Sequence, residues 1–156
     1  MPRRTTAFAL SQPHIARPHE PRPPDWRPTV LVVDDNIDVR AINRIYLRAM
    51  GCRVYTAVDG VQGIERAIER MPDVIVLDLE MPHLNGWDAA RLLKRSPTTE
   101  HIPIVALTAI PGARETARKA GCDAFLAKPC LPELVWWEIR LLLGIEADDP
   151  IAGAPA

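Results

Sequence analysis

The stretch VLVVDDN, Val30 to Asn36, constrains this chain more than any other. Four consecutive apolar residues describe a strand covered on both faces, because a half-exposed strand alternates apolar with polar. A strand of that kind belongs in a parallel sheet between two layers of helices. It runs directly into Asp34 and Asp35, two like charges side by side. A second run, DVIVLDLEMP from Asp73 to Pro82, repeats the arrangement and carries Asp78 near its end. Two buried strands, each delivering carboxylates on its C-terminal side, read as one site divided along the chain.

The rest of the pattern alternates in the same rhythm. Strands are predicted at Val30–Val33, Arg53–Ala57, Val74–Leu79, Ile104–Thr108 and Ala124–Ala127. Helices are predicted at Asp38–Met50, Gly60–Met71, Trp87–Arg95, Ala113–Ala120 and Pro132–Leu143, with Gly51, Gly121 and Gly144 as C-terminal stops. In the first helix Val39, Ile42, Ile45, Tyr46 and Ala49 form one apolar stripe, and in the second Ile64, Ala67, Ile68 and Met71 do. Strands alternating with helices of this length give an α/β, flavodoxin-like, doubly wound (βα)5 domain with a five-stranded parallel sheet. Ligands in such folds sit at the carboxyl ends of the strands, beside the topological switch point.

That rule gathers the polar groups. Asp34 and Asp35 end the first strand, Asp78 the third, Thr108 the fourth and Lys128 the fifth, with Pro129 behind it. Like charges about 4 Å apart repel by about 4 kcal/mol per pair at an effective dielectric near 20. A hard divalent cation removes the penalty, and Mg²⁺ favours one or two carboxylates together with waters and phosphate oxygens. The cluster therefore reads as a Mg²⁺ cradle with an open side for a phosphoryl group. Lys128 adds a positive charge and Thr108 a hydroxyl donor. Asn36 or Asp38 can cap the following helix, so capping leaves the acidic doublet unexplained.

Taken together, VVDDN, VLDLEMPHLNG, ALTA and LAKP, in this order and at these strand ends, resemble the receiver domain of bacterial response regulators over roughly residues 29 to 145. The resemblance implies that Asp78 is the phosphoacceptor. It implies that Asp34, Asp35, Asp78 and the backbone carbonyl of Glu80 hold Mg²⁺. It also implies that Lys128 pairs with the acyl phosphate, that the Lys128–Pro129 peptide is cis, and that Thr108 and Phe125 form a switch pair. The phosphodonor it implies is a histidine kinase or histidine phosphotransfer protein. This sequence departs from the family in having Phe125 where a tyrosine is common. Glu80 and Ile110 stand two residues beyond Asp78 and Thr108, at positions that in the family border the path of the hydrolytic water.

Other classes fit less well. An FMN protein of similar fold would need a Ser/Thr/Gly-rich loop after the first strand, whereas DDNIDV repels a phosphate. A pseudo-receiver has no use for the full set of acids, Thr108 and Lys128. A phosphohydrolase would place a second aspartate two residues after Asp78, where Glu80 stands. The expected role is a phosphorylation switch rather than an enzyme with turnover on external substrate.

The ends differ from the middle. Residues 1–28 carry prolines from Pro2 to Pro28 and more arginine than acid, so an extended or disordered arm is expected. Residues 146–156 read as a flexible tail around the receiver domain of residues 29–145. No output domain follows Gly144, so a stand-alone receiver is expected, with output by protein contact through the fourth and fifth helices. In LPELVWWEIRLLLG, Val135, Ile139, Leu142 and Leu143 share the core side, and Leu134, Trp137 and Leu141 share another, the expected surface for a target or a second copy. A net charge of -1 gives no general pull toward nucleic acid or anionic lipid, and no apolar run nears the roughly 20 residues of a membrane span. Cys52, Cys122 and Cys130 lack metal-ligand spacing and suit reduced thiols in the cytoplasm.

Overall fold

The strands β1, β3 and β4 form where apolar residues, mostly Val, Ile and Leu, run almost without interruption, and each meets a polar residue at its carboxyl end. The computed structural model describes residues 22–149, 151, 154 and 155. The elements are β1 (Thr29–Val33), α1 (Ile37–Ala49), β2 (Arg53–Ala57), α2 (Gly60–Arg70), β3 (Val74–Asp78), α3 (Gly86–Arg95), β4 (Ile104–Thr108), α4 (Arg114–Lys119), β5 (Ala124–Ala127) and α5 (Pro132–Leu143). The strands make one parallel sheet in the order β2-β1-β3-β4-β5. The chain leaves β1 in one direction for β2 and in the other for β3 to β5, so the switch point lies between β1 and β3.

Side chains alternate strictly between two apolar layers. Val30, Val32, Val74, Val76, Val105 and Leu107 point to the layer closed by α1 and α5. Leu31, Val33, Ile75, Leu77, Ile104 and Ala106 point to the layer closed by α2, α3 and α4. The first layer also takes in Trp26, Ile145 and Ile151. Arg22 stacks 4.2 Å from the Trp26 ring centroid, bonds the Leu143 carbonyl and lies 3.5 Å from Asp149. The described ends thus border the domain on its α5 side. Residues 1–21 of the expected arm lie outside the described residues.

Two expected helix faces are corrected. In α1 the sheet side carries Asn43 and Leu47, flanked by the half-buried Val39 and Tyr46, while Ile42, Ile45 and Ala49 face outward. In α2 the buried residues are Gly60, Gly63 and Ala67, and Ile68 and Met71 are exposed. In α2 the cause is close approach. A Cβ on Gly63 would meet Val33 Cγ1 at 3.0 Å, so this face admits only small residues. The fourth helix is also shorter than expected, Arg114–Lys119, with Ala113 and Ala120 as its flanking caps.

Candidate functional site

Register sets the site. Val33 pairs with Leu77, so Asp34 and Asp78 leave the sheet at the same level on neighbouring strands. Asp78 pairs with Leu107 and Thr108 with Ala127, which staggers Thr108 and Lys128 around the same edge. Asp34, Asp78 and Thr108 are each 1% exposed, and Asp35 is open to solvent. One carboxylate oxygen from each of Asp34, Asp35 and Asp78 lies within 4.8 Å of the others. Two buried acids and one solvent-facing acid so close together suit a hard divalent cation that keeps part of its water shell.

Lys128 ties the acids together. Its Nζ donates to Asp34 Oδ2 at 3.0 Å and lies 3.2 Å from Asp78 Oδ1. Burial opposes its charge, but bonding and attraction to Asp34 and then Asp78 prevail, and its pKa is raised. The Asp78 carboxyl is pushed up to about 7, first by burial and then by the Asp34 charge, against the pull of the Glu80 amide and Lys128. An acid so reluctant to ionise marks a place where negative charge is crowded and a cation is favoured. The Lys128–Pro129 peptide is cis.

Local chemistry aims the remaining groups. Asn36 caps α1, its side chain accepting from the Asp38 and Val39 amides, and Asp34 Oδ1 accepts the Asn36 N–H at 2.9 Å. The caps leave Asp35 unengaged and facing outward. Asn85 caps α3 through the Asp88 N–H, and the next residue, Gly86, lies against the end of β3. A Cβ there would overlap the Asp78 carbonyl oxygen and stand 2.6 Å from Leu79 Cα. Gly86 therefore holds Asp78 in place, a role that sequence reading missed. The glycine was visible in HLNG, but its contact with β3 exists only in three dimensions.

Thr108 and Glu80 are coupled in a way the sequence did not suggest. Glu80 Oε1 accepts the Thr108 hydroxyl at 2.7 Å, the Ala109 N–H at 2.8 Å and the Ile110 N–H at 3.1 Å. Phe125 is half-buried on β5, with the Arg114 guanidinium 5.9 Å from its ring centroid. Both line a groove of about 300 Å³ between α4, β5 and α5, together with Ala117 and Glu138. Leu134, Trp137 and Leu141 lie outside the core, 51%, 59% and 60% exposed, whereas Trp136 is buried beside Val135 and Ile139.

Comparison with known proteins agrees with this geometry. The family model for the response regulator receiver domain matches residues 30–139. Response regulator PleD of Caulobacter vibrioides is 37% identical over 116 residues, which is 72% of this chain and 25% of PleD. The polar-differentiation response regulator DivK of Brucella anthropi is 31% identical over 103 residues, 65% of this chain and 84% of DivK. The chain thus spans most of DivK but only a quarter of PleD. Among solved structures, Vibrio cholerae chemotaxis protein CheY4 superposes with a TM-score of 0.69 at 30% identity, covering 75% of this chain and 100% of CheY4. The receiver domain of sensor histidine kinase PA1611 from Pseudomonas aeruginosa, with a magnesium ion coordinated in its active-site cleft, gives 0.70 at 30% identity, covering 76% of this chain and 99% of that one. With the five-stranded parallel sheet, the acidic cluster at its switch point and a family match over most of its length, this chain belongs to the response regulator receiver domain family of two-component signalling.

Proposed function

We propose that this chain is a Mg²⁺-dependent phosphorylation switch whose acceptor is Asp78, loaded from the phosphohistidine of a histidine kinase or histidine phosphotransfer protein. The observation that carries the reading is the convergence of Asp34, Asp35 and Asp78 at one strand edge with Lys128 bridging two of them. Asp34, Asp35, Asp78 and the backbone carbonyl of Glu80 would hold the cation. Mg²⁺, when bound, neutralises charge on the acids and on the transferring phosphoryl oxygens.

The protein's own groups do the rest. Asp78 Oδ1 is engaged by the Glu80 N–H at 3.0 Å and by Lys128 at 3.2 Å, which leaves Oδ2 to attack phosphorus. An O–P bond forms to that oxygen as the donor's N–P bond breaks and the imidazole leaves with the electron pair. Lys128 then stays beside the acyl phosphate, and the Thr108 hydroxyl is the donor placed to sense it. Thr108 and Phe125 act as the switch pair, and the output is a protein contact through α4 and α5, with Leu134, Trp137 and Leu141 as its apolar surface.

Intact mass after treatment with a small phosphodonor and Mg²⁺ tests the chemistry. One phosphoryl group per chain is expected for the wild type and none for Asp78→Asn or in excess chelator. Equal incorporation into Asp78→Asn would refute the assignment.

A further inference from the structure

The Glu80 side chain occupies the donors that a phosphoryl group on Asp78 would need. One oxygen, Oε1, receives the Thr108 hydroxyl at the end of β4 and the Ala109 and Ile110 amides just beyond it. Successive backbone amides joined by a hydroxyl form an anion-binding nest. A hydroxyl has one hydrogen to donate and so does an amide. The Thr108 hydroxyl cannot serve Glu80 and a phosphoryl oxygen together. The Ile110 amide is already shared, since it also approaches Thr108 Oγ1 at 3.0 Å.

The backbone joins the two anions closely. Glu80 lies two residues beyond Asp78 and its N–H bonds Asp78 Oδ1 at 3.0 Å. Thr108 lies one residue beyond Leu107, the register partner of Asp78. A dianionic group added to Asp78 therefore arrives next to the nest that Glu80 fills. The other Glu80 oxygen, Oε2, is buried with no hydrogen-bond partner among the described residues. A carboxylate oxygen buried in that way is costly, so the clamp is poised for release.

We infer that Glu80 is an internal competitor of the phosphoryl group: its carboxylate holds the Thr108–Ile110 nest until phosphorylation of Asp78 evicts it. The inference rests on Asp78 being the acceptor. It makes Glu80 a positioning residue for the switch, acting through Thr108. The signalling movement then begins with expulsion of the Glu80 side chain, and the nest changes its anion rather than closing from an empty state.

Beryllofluoride with Mg²⁺, a stable mimic of the acyl phosphate, tests this on the full chain by binding titration and amide NMR. Glu80→Ala should bind the probe about tenfold more tightly than wild type, the scale of one charge-assisted hydrogen bond and the lost repulsion. Glu80→Gln, which keeps an acceptor without the charge, should fall between them, and it supplies the same reading should Glu80→Ala not fold. The Ala109 and Ile110 amide signals should differ between wild type and variant when free and coincide when the probe is bound. Weaker binding by both variants, or bound spectra that keep the wild-type difference at these amides, would overturn the inference. Asp78→Asn separates the two levels: if it binds the probe as the wild type does, or if neither wild type nor Glu80→Ala binds it, the acceptor assignment itself fails.

Discussion

At the scale of single residues, the site depends on a position that carries no functional group. Gly86 begins α3 against the last residue of β3, and nothing larger than hydrogen fits between its Cα and the Asp78 carbonyl. Gly86→Ala must push either the helix or the strand end outward. Overpacking of this kind typically costs about 1–3 kcal/mol. The displaced group here is the backbone of Asp78, the proposed acceptor, so stability and site geometry should fail together. Urea unfolding should show a lower midpoint for Gly86→Ala, and the variant should take up phosphoryl groups more slowly. A variant as stable and as reactive as wild type would mean that the contact is not confining Asp78. The acids themselves were legible because they stand at the carboxyl ends of apolar strands, where crowded carboxylates are costly unless a cation offsets them. Gly86 and the Glu80 clamp were not, since both are contacts between distant segments or between side chains whose rotamers no spacing rule fixes.

At the scale of elements, strands were easier to read than helix faces. A strand covered on both sides needs apolar residues at every position, and the Val, Ile and Leu runs of β1, β3 and β4 supply them. A helix needs only one apolar side, and α1 and α2 reverse the usual signal by placing Gly63, Ala67 and Asn43 inward and isoleucines outward. In α2 close approach demands small residues on the inner face, so bulk does not mark burial there, whereas α1 buries the large Leu47 beside Asn43. In α5 two tryptophans stand side by side in the sequence, and the structure separates them: Trp136 is 9% exposed and Trp137 59%. The two should therefore differ sharply on truncation. Trp136→Ala should cost about 3 kcal/mol, the low end for a large aromatic removed from a core. Trp137→Ala should stay within about 0.5 kcal/mol, as for an ordinary surface change. Denaturant melts of the two variants compare them directly, and equal losses would show that the face of α5 has been misassigned.

At the scale of the whole molecule, the question is how the proposed phosphorylation of Asp78 would reach α5. β5 is an edge strand of the sheet and only partly covered, and beside the short α4 lies the groove lined by Arg114, Phe125 and Glu138. An edge with spare room can repack without disturbing the central strands β1 and β3. Thr108 ends β4 beside it, so a changed anion in the Thr108–Ile110 nest bears directly on the turn leading to α4. Glu138 lines the groove from α5, and at 100° per residue Leu134, Leu141 and Trp137 follow one another to one side of it on the helix surface. A ligand shifts a conformational equilibrium only by its differential affinity for the two states, and in the proposed switch the Thr108 hydroxyl would give the phosphoryl group that difference. The chain contains four tryptophans, and their indole N–H signals can follow the event from end to end. Trp87 follows Gly86, which abuts Asp78, and should report occupancy of the site. Trp137 should report transmission. On addition of beryllofluoride and Mg²⁺ both signals should shift in the wild type, whereas in Thr108→Val the Trp87 signal should shift and the Trp137 signal stay in place. A wild-type protein whose Trp87 responds while Trp137 does not would place the output of this receiver on a surface other than α5.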